Sequence, residues 1–313
     1  MNEIIEHDNI ASVKKILEFD YLVDAFVDSQ DTRLNSKLLY KRTLKQYSNW
    51  IILKNYNLSE ITRTHILEYK SELLASNKSS LTVGSYITSV RCFYEWLEAN
   101  GFYVNVAKGI KNPKRKNQFK KQPLLPHQAS ALLNYFEDKL KRDYAIINLL
   151  LRTGLRTVEI IRATVDDIVI KGSKRVLLVQ GKGRDEKDDF VLLTDKTHKT
   201  ITDYLDTRVI IDKNEPLFIS LSNNSYGKKL STRTISFIVK EGLKAIGLDD
   251  KSFTAHSLRH TTAVSILRAG GTLETVQFTL RHSNPATTQI YTATLNEERR
   301  LNNAGETLID GVY

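Results

Sequence analysis

Arg156, Arg259, His282 and Tyr291 are the residues of this chain whose types and spacing suit phosphodiester chemistry. Arg156 lies in Thr153-Gly154-Leu155-Arg156, and Arg259 in His256-Ser257-Leu258-Arg259-His260. Leu280-Arg281-His282 follows, and then Thr287-Thr288-Gln289-Ile290-Tyr291. The planar fork of an arginine makes paired hydrogen bonds to phosphate and keeps its charge. Histidines give or take protons, and a late tyrosine supplies a phenol that can attack phosphorus. As it attacks, charge on the nonbridging oxygens is redistributed, and preorganised donors around them lower the barrier. That attack needs no metal and no nucleotide cofactor.

A phenol with a pKa near about 10 is a poor nucleophile at neutral pH. It needs neighbouring cations or a base. His282 precedes Tyr291 by nine residues and suits a hydrogen bond to the phosphate under attack. Lys182 sits in Gly181-Lys182-Gly183-Arg184, a glycine-flanked turn from which an ammonium can protonate the departing 5′-hydroxyl. Gly154 permits a tight bend that delivers Arg156 at a helix start. His256 and Arg259 are three apart, on one face of a helix. His256 and His260 have the spacing of a two-histidine zinc helix, but Ser257 stands where the glutamate base would be. No metal is assigned, and His260 reads as a packed, hydrogen-bonded core histidine.

The elements that position these groups belong to a chain of 313 residues, long enough for two domains. An apolar fraction of 41% supplies real cores and excludes a disordered chain. The formal charge of +10 points to a polyanionic partner, nucleic acid first. Cys92 is the one cysteine, which excludes an internal disulfide framework and a multi-cysteine zinc site. Beside Phe93, Tyr94 and Trp96 it reads as a small hydrophobe. The acidic start, Met1 to Glu6, has no basic region followed by an apolar run, and no stretch reaches membrane-spanning length. The expectation is a soluble, cytoplasmic protein with no membrane partner.

Helical periodicity covers residues 13–27, 38–52, 62–74 and 81–99, the last stopping at Asn100-Gly101. Residues 107–123 then carry Lys108, Lys111, Lys114, Arg115, Lys116, Lys120 and Lys121 with no acid, and Pro113 and Pro123 interrupt helix formation there. That is an interdomain linker, suited to strapping a phosphate backbone. Helices follow at 126–140, 143–151 and 156–163. Strands at 168–170, 176–180 and 190–193 form a three-stranded antiparallel meander, with Lys182 in its second turn. Helices return at 194–207, 231–246 and 255–269, and Asn284-Pro285 starts one more. The fold class is mainly α with a small antiparallel sheet: a helical domain at 1–106, a basic linker at 107–122, a mixed α+β domain at 123–292 and a C-terminal segment at 293–313.

The second domain resembles the tyrosine recombinases, the phage-type integrases that include the Xer recombinases. TGLRTVE around Arg156, GKGR around Lys182, HSLRHT around His256 and Arg259, LRH ending at His282 and ATTQIY ending at Tyr291 stand in family order. All five in order are highly specific. The resemblance implies a helical core-binding domain that clamps double-stranded DNA, and a catalytic domain in which Tyr291 forms a 3′-phosphotyrosyl link and releases a 5′-hydroxyl. It implies that Arg156, Arg259 and His282 hold the phosphate, Lys182 acts as general acid, and His256 assists proton transfer or phosphate binding. Glu159, at the family's acidic position, supports the site. The resemblance further implies a homo-tetramer on two DNA sites, a Holliday junction, and a C-terminal segment passed to a neighbouring protomer. A directionality factor is a possible further partner. Two departures stand out. Arg281 replaces the usual glycine, which strains it if the backbone there is left-handed or frees it to contact DNA. Ser257 replaces a commoner aspartate.

Beyond Lys114, Arg115, Lys116, Lys120 and Lys121 of the linker, Lys228, Lys229, Arg233 and Lys240 are candidate DNA contacts, on or near one helix. Two other functions use the same features. A type IB topoisomerase-like enzyme would relax DNA by the same chemistry without exchanging partners. An architectural protein would bind DNA with a relic site. The compact helical N-terminal domain favours recombination over the first, and the full set of catalytic residues over the second.

Overall fold

A computed structural model describes residues 18–114, 121–181, 184–208, 212–302, 306–310 and 312. The chain divides into two compact units, Met1–Gln118 and Phe119–Tyr313.

The first unit is helical. Its described part begins with α1, helical over 18–29. α2 (Leu34–Leu53), α3 (Arg63–Ala75) and α4 (Ser80–Ala99) follow. Ser79 starts α4 by accepting the Thr82 N–H, and Gly101 at φ 71° turns the chain away after its end. Val90, Phe93, Tyr94 and Leu97 of its apolar stripe are fully buried. They pack with Phe19, Phe26, Tyr47, Trp50 and Tyr69 in a core rich in aromatic rings. Of the phenols buried there, Tyr47 and Tyr94 satisfy each other at 3.1 Å, and Tyr69 donates to Gln46.

The second unit is built around α6 (Lys141–Thr153), which contacts α5 (Pro126–Glu137), α8 (Asp195–Leu205), α9 (Thr232–Ala245) and α10 (Ala255–Arg268). Ala145 to Leu151 of α6 are buried without a break, which is why that run is apolar but for Asn148, whose amide is hydrogen-bonded to the Tyr144 carbonyl and to Arg152. After the short α7 (Thr157–Arg162) come β1 (Ile168–Lys171), β2 (Lys174–Val179) and β3 (Asp189–Leu192), antiparallel in the order β1-β2-β3. Val169 pairs with Val176, and Leu177 with Val191. Leu177, Val179 and Val191 face the core shared with α6. α11 (Leu273–Leu280), α12 (Ala286–Asn302) and α13 (Glu306–Ile309) complete the unit.

Three details differ from the sequence reading. α5 stops at Glu137, three residues short of the expected end. Arg156 is not the first residue of α7 but its N-cap, extended at φ −77° and ψ 149°. α11 had no counterpart in the sequence pattern, because only Val276 and Leu280 of its eight residues are buried, too few to make a periodic signal. In addition, α12 runs unbroken through residues 292 and 293.

Gly154 closes α6 at φ 62°, and a Cβ added there would fall onto Leu280 Cδ2 and lie 3.4 Å from Thr262. Both the backbone and the space demand glycine. Gly154→Ala should lower unfolding stability by about 1–3 kcal/mol, read by urea denaturation of the full chain.

Candidate active site

The site is organised by Arg259, carried on the inner face of α10 and 1% exposed. Its two terminal nitrogens donate to the main-chain carbonyls of Gly154 and Leu280, at the ends of α6 and α11. Among the described residues it has no ion pair. Burial, and then the charge of Arg156, push its pKa down to about 9, against the pull of Glu159. The group stays charged at neutral pH, bonded directly to main-chain carbonyls and under the longer-range pull of Glu159.

Arg156 stands at the start of α7. Its main-chain N–H donates to Glu159 Oε2 at 2.7 Å, and its guanidinium to Glu159 Oε1 at 2.8 Å. The Arg156 side chain is 30% exposed while that of Glu159 is sealed. Arg281 completes this cluster from the end of α11. It sits at φ 56° and ψ 51°, the left-handed conformation that costs a residue with a Cβ about 1 kcal/mol. Its guanidinium turns inward and donates to Glu159 Oε2 and to the Thr279 carbonyl, each at 2.8 Å. Burial pushes the Glu159 carboxyl up, but the Arg281 charge and the donors of Arg156 outweigh it and hold its pKa below the ordinary value. Arg281 is therefore committed to a buried carboxylate, and the expectation that it could be free to contact DNA gives way to that ion pair.

Tyr291 lies on α12 and is 2% exposed, packed with Ala263, Val264, Val276 and Leu280. The His282 ring stacks on it at 6.0 Å and 13°, and the His260 ring tilts against it at 4.9 Å. Burial raises the phenol pKa, while Arg259 and Arg156 oppose the rise. His282 is buried, with Nδ1 on the Thr288 hydroxyl at 2.9 Å. Burial, then Arg259, Arg156 and Arg281, lower its pKa to about 4. His260 is buried too, its Nδ1 on the Lys121 carbonyl at 3.0 Å and its pKa lowered to about 4, chiefly by burial. His256 reaches the surface. Loss of water around its ring, then Arg259, Arg156 and Lys121, hold its pKa below the ordinary value. At neutral pH these three rings are uncharged and can each donate one N–H.

The structure thus brings together Arg156, Glu159, Arg259, His282 and Tyr291, with His256 at the rim. Lys182 lies outside the described residues. Beside it, the Gly181 carbonyl accepts from Arg162 of α7 at 3.1 Å. Arg115, Lys116 and Lys120 also lie outside the described residues. Lys114, Lys228, Lys229 and Arg233 are exposed. Lys121 bonds the Lys251 carbonyl at 2.7 Å, and Lys240 pairs with Asp249 at 3.0 Å, so these two are already engaged. Sequence reasoning missed Thr288, six residues from His282 across a turn where no helical spacing relates them. It also missed that His260 lies against Tyr291. Chemically, the cluster suits a tetrahedral anion set between two guanidinium groups, with a phenol alongside.

Comparison with known proteins shows the family. The phage integrase family model matches residues 122–298. The tyrosine recombinase XerC of Caldanaerobacter subterraneus subsp. tengcongensis is 36% identical over 210 residues, 66% of this chain and 57% of that relative's length. A tyrosine recombinase of Pseudothermotoga lettingae is 30% identical over 263 residues, 83% of this chain and 87% of its own. In fold, the chain resembles the XerH site-specific recombinase in a post-cleavage complex with its difH substrate, with a TM-score of 0.70 and 20% identity over 86% of this chain and 79% of that one. A family match across more than half the chain, and a relative aligned over most of both lengths, place this protein in the phage integrase family, as a tyrosine recombinase of the Xer-like kind.

Proposed function

We propose that this protein is a site-specific DNA recombinase that cuts and rejoins strands through a 3′-phosphotyrosyl intermediate at Tyr291. The observation that carries this reading is the buried guanidinium of Arg259, hydrogen-bonded to main-chain carbonyls and with no ion pair among the described residues, beside the Tyr291 phenol. A cation kept out of water without a direct ion-pair partner favours an arriving anion. The scissile phosphate supplies one, held by Arg259, Arg156 and the neutral His282. Tyr291 Oη attacks phosphorus, and the bond to the 5′ oxygen breaks. Lys182 protonates that oxygen, while His256 takes up the phenol's proton or steadies the phosphate. The protein–DNA link keeps the phosphodiester's bond energy, so the strands rejoin without a nucleotide cofactor.

Because Tyr291 is 2% exposed, cleavage on DNA includes a shift of α12 that frees the phenol. In this reading the helical first unit and the linker lysines clamp the duplex. Four copies pair two sites and pass through a Holliday junction, with the segment from 293 onward exchanged between copies. The solved XerH complex with its substrate supports a DNA partner.

On a nicked suicide duplex, wild type should form a covalent adduct stable on a denaturing gel. Tyr291→Phe should form none while binding the duplex as wild type does. An adduct from the phenylalanine variant would remove Tyr291 from the chemistry. Duplex affinity should fall steeply with salt, and replacing Lys228, Lys229 and Arg233 by alanine should flatten the slope of log K against log salt by about 1 for each phosphate no longer neutralised. An unchanged slope would exclude those residues as phosphate contacts.

Stability carries its own pH signature. The folded pKa values of His260 and His282, about 4, lie below the ordinary 6.5 of the unfolded chain. Between these values the unfolded chain binds more protons, so the stabilisation is whole above the upper value and is lost as pH falls through the lower one. The loss is on the order of 3 kcal/mol per histidine. The thermal midpoint should therefore fall on acidification through this window, and fall less in His260→Asn.

A further inference from the structure

Arg281 occupies a backbone position that glycine fills without strain, so its side chain must offset the cost of being there. That side chain is 6% exposed, and its one carboxylate partner among the described residues is Glu159. Glu159 is also the acceptor for both the backbone and the guanidinium of Arg156. One buried carboxylate therefore joins two segments far apart in sequence. One is the start of α7, which carries Arg156. The other is the turn after α11, where Arg281 is followed directly by His282. The Arg281 bond to the Thr279 carbonyl fixes the other end of the guanidinium on its own turn.

The charges reinforce the point. Without Arg281, Glu159 would lie with Arg156 alone and neutralise it. With Arg281 present, the carboxylate is shared, and the three groups keep a net positive charge; Arg156 and Arg281 both act on Arg259 and His282.

We propose that Arg281 is a positioning residue for strand cleavage, gripping Glu159 so that the His282 turn and the Arg156 helix start hold one spacing across the phosphate. This rests on the recombinase reading above. Arg281 acts through Glu159 and His282 and does not itself touch the phosphate.

The test uses the full chain and the nicked suicide duplex, comparing wild type, Arg281→Gly, Arg281→Lys, Glu159→Gln and the double variant Arg281→Gly/Glu159→Gln. Thermal midpoint, duplex affinity and the single-turnover rate of adduct formation at saturating protein are measured for each. The rate per bound complex is the deciding quantity, since a purely structural role changes the folded fraction and leaves that rate alone. Loss of a charge-assisted bond at the joint should lower the Arg281→Gly rate about tenfold, with duplex affinity close to wild type. Arg281→Lys, which keeps the charge and one donor, should recover part of the rate. The double variant should be no slower than the slower single variant, because both changes break the same joint. A wild-type rate per bound complex in Arg281→Gly would overturn the proposal, as would full additivity in the double variant. Adduct formation by wild type separates the two readings: if wild type binds the duplex and forms no adduct, the recombinase reading falls and this one falls with it.

Discussion

Arg259 is a guanidinium taken out of water with main-chain carbonyls in place of a carboxylate. Such a burial is costly unless the surrounding structure fixes every partner. The two carbonyls belong to Gly154 and Leu280, the ends of α6 and α11, and α10 supplies the arginine itself. The left-handed turn at Gly154 is thus one piece of geometry with three consequences. It ends the central helix, offers an acceptor to Arg259 and sends the chain directly into Arg156. The catalytic unit is arranged so that these helix ends meet where the charge is buried.

Glu159 and His282 respond to the surrounding guanidinium charges in opposite ways. The carboxylate tolerates full burial because Arg281 and Arg156 surround it. The rings of His260 and His282 are kept neutral by burial, and His282 additionally by the guanidinium charges around it. The cations that would draw a phosphate therefore also hold His282 as a neutral donor, which does not compete with them for counter-charge. Tyr291 stacks on the His282 ring, with the His260 ring tilted against it, and is subject to opposing influences. Burial makes its phenol harder to ionise while the arginines make it easier. A phosphate arriving between the arginines would change that balance at the moment of attack.

Much of this was legible in the chain. The motifs around Arg156, His256 and Arg259, His282 and Tyr291 stand in an order that few folds share. The four helices of the first unit and the three strands of the second follow from apolar periodicity and turn residues. The errors have specific causes. α11 buries only Val276 and Leu280, so it leaves no stripe. Arg156 sits next to a helix and looks like part of it, because a cap residue has no periodicity of its own. Lys240 reads as a free cation until Asp249, nine residues away and beyond the end of α9, folds back onto it.

What the sequence determined by itself was the set of reactive groups and the local elements that carry them, since residue type fixes pKa class and charge while short-range spacing fixes helix faces and turns. What only the tertiary structure decided was which of those groups meet and in what state. Arg281 is the clearest case. The chain shows a cation where glycine is usual. Only the approach of α7 to the end of α11 turns that cation inward onto Glu159, because an ion pair between residues 122 positions apart depends on packing and leaves no trace in local pattern.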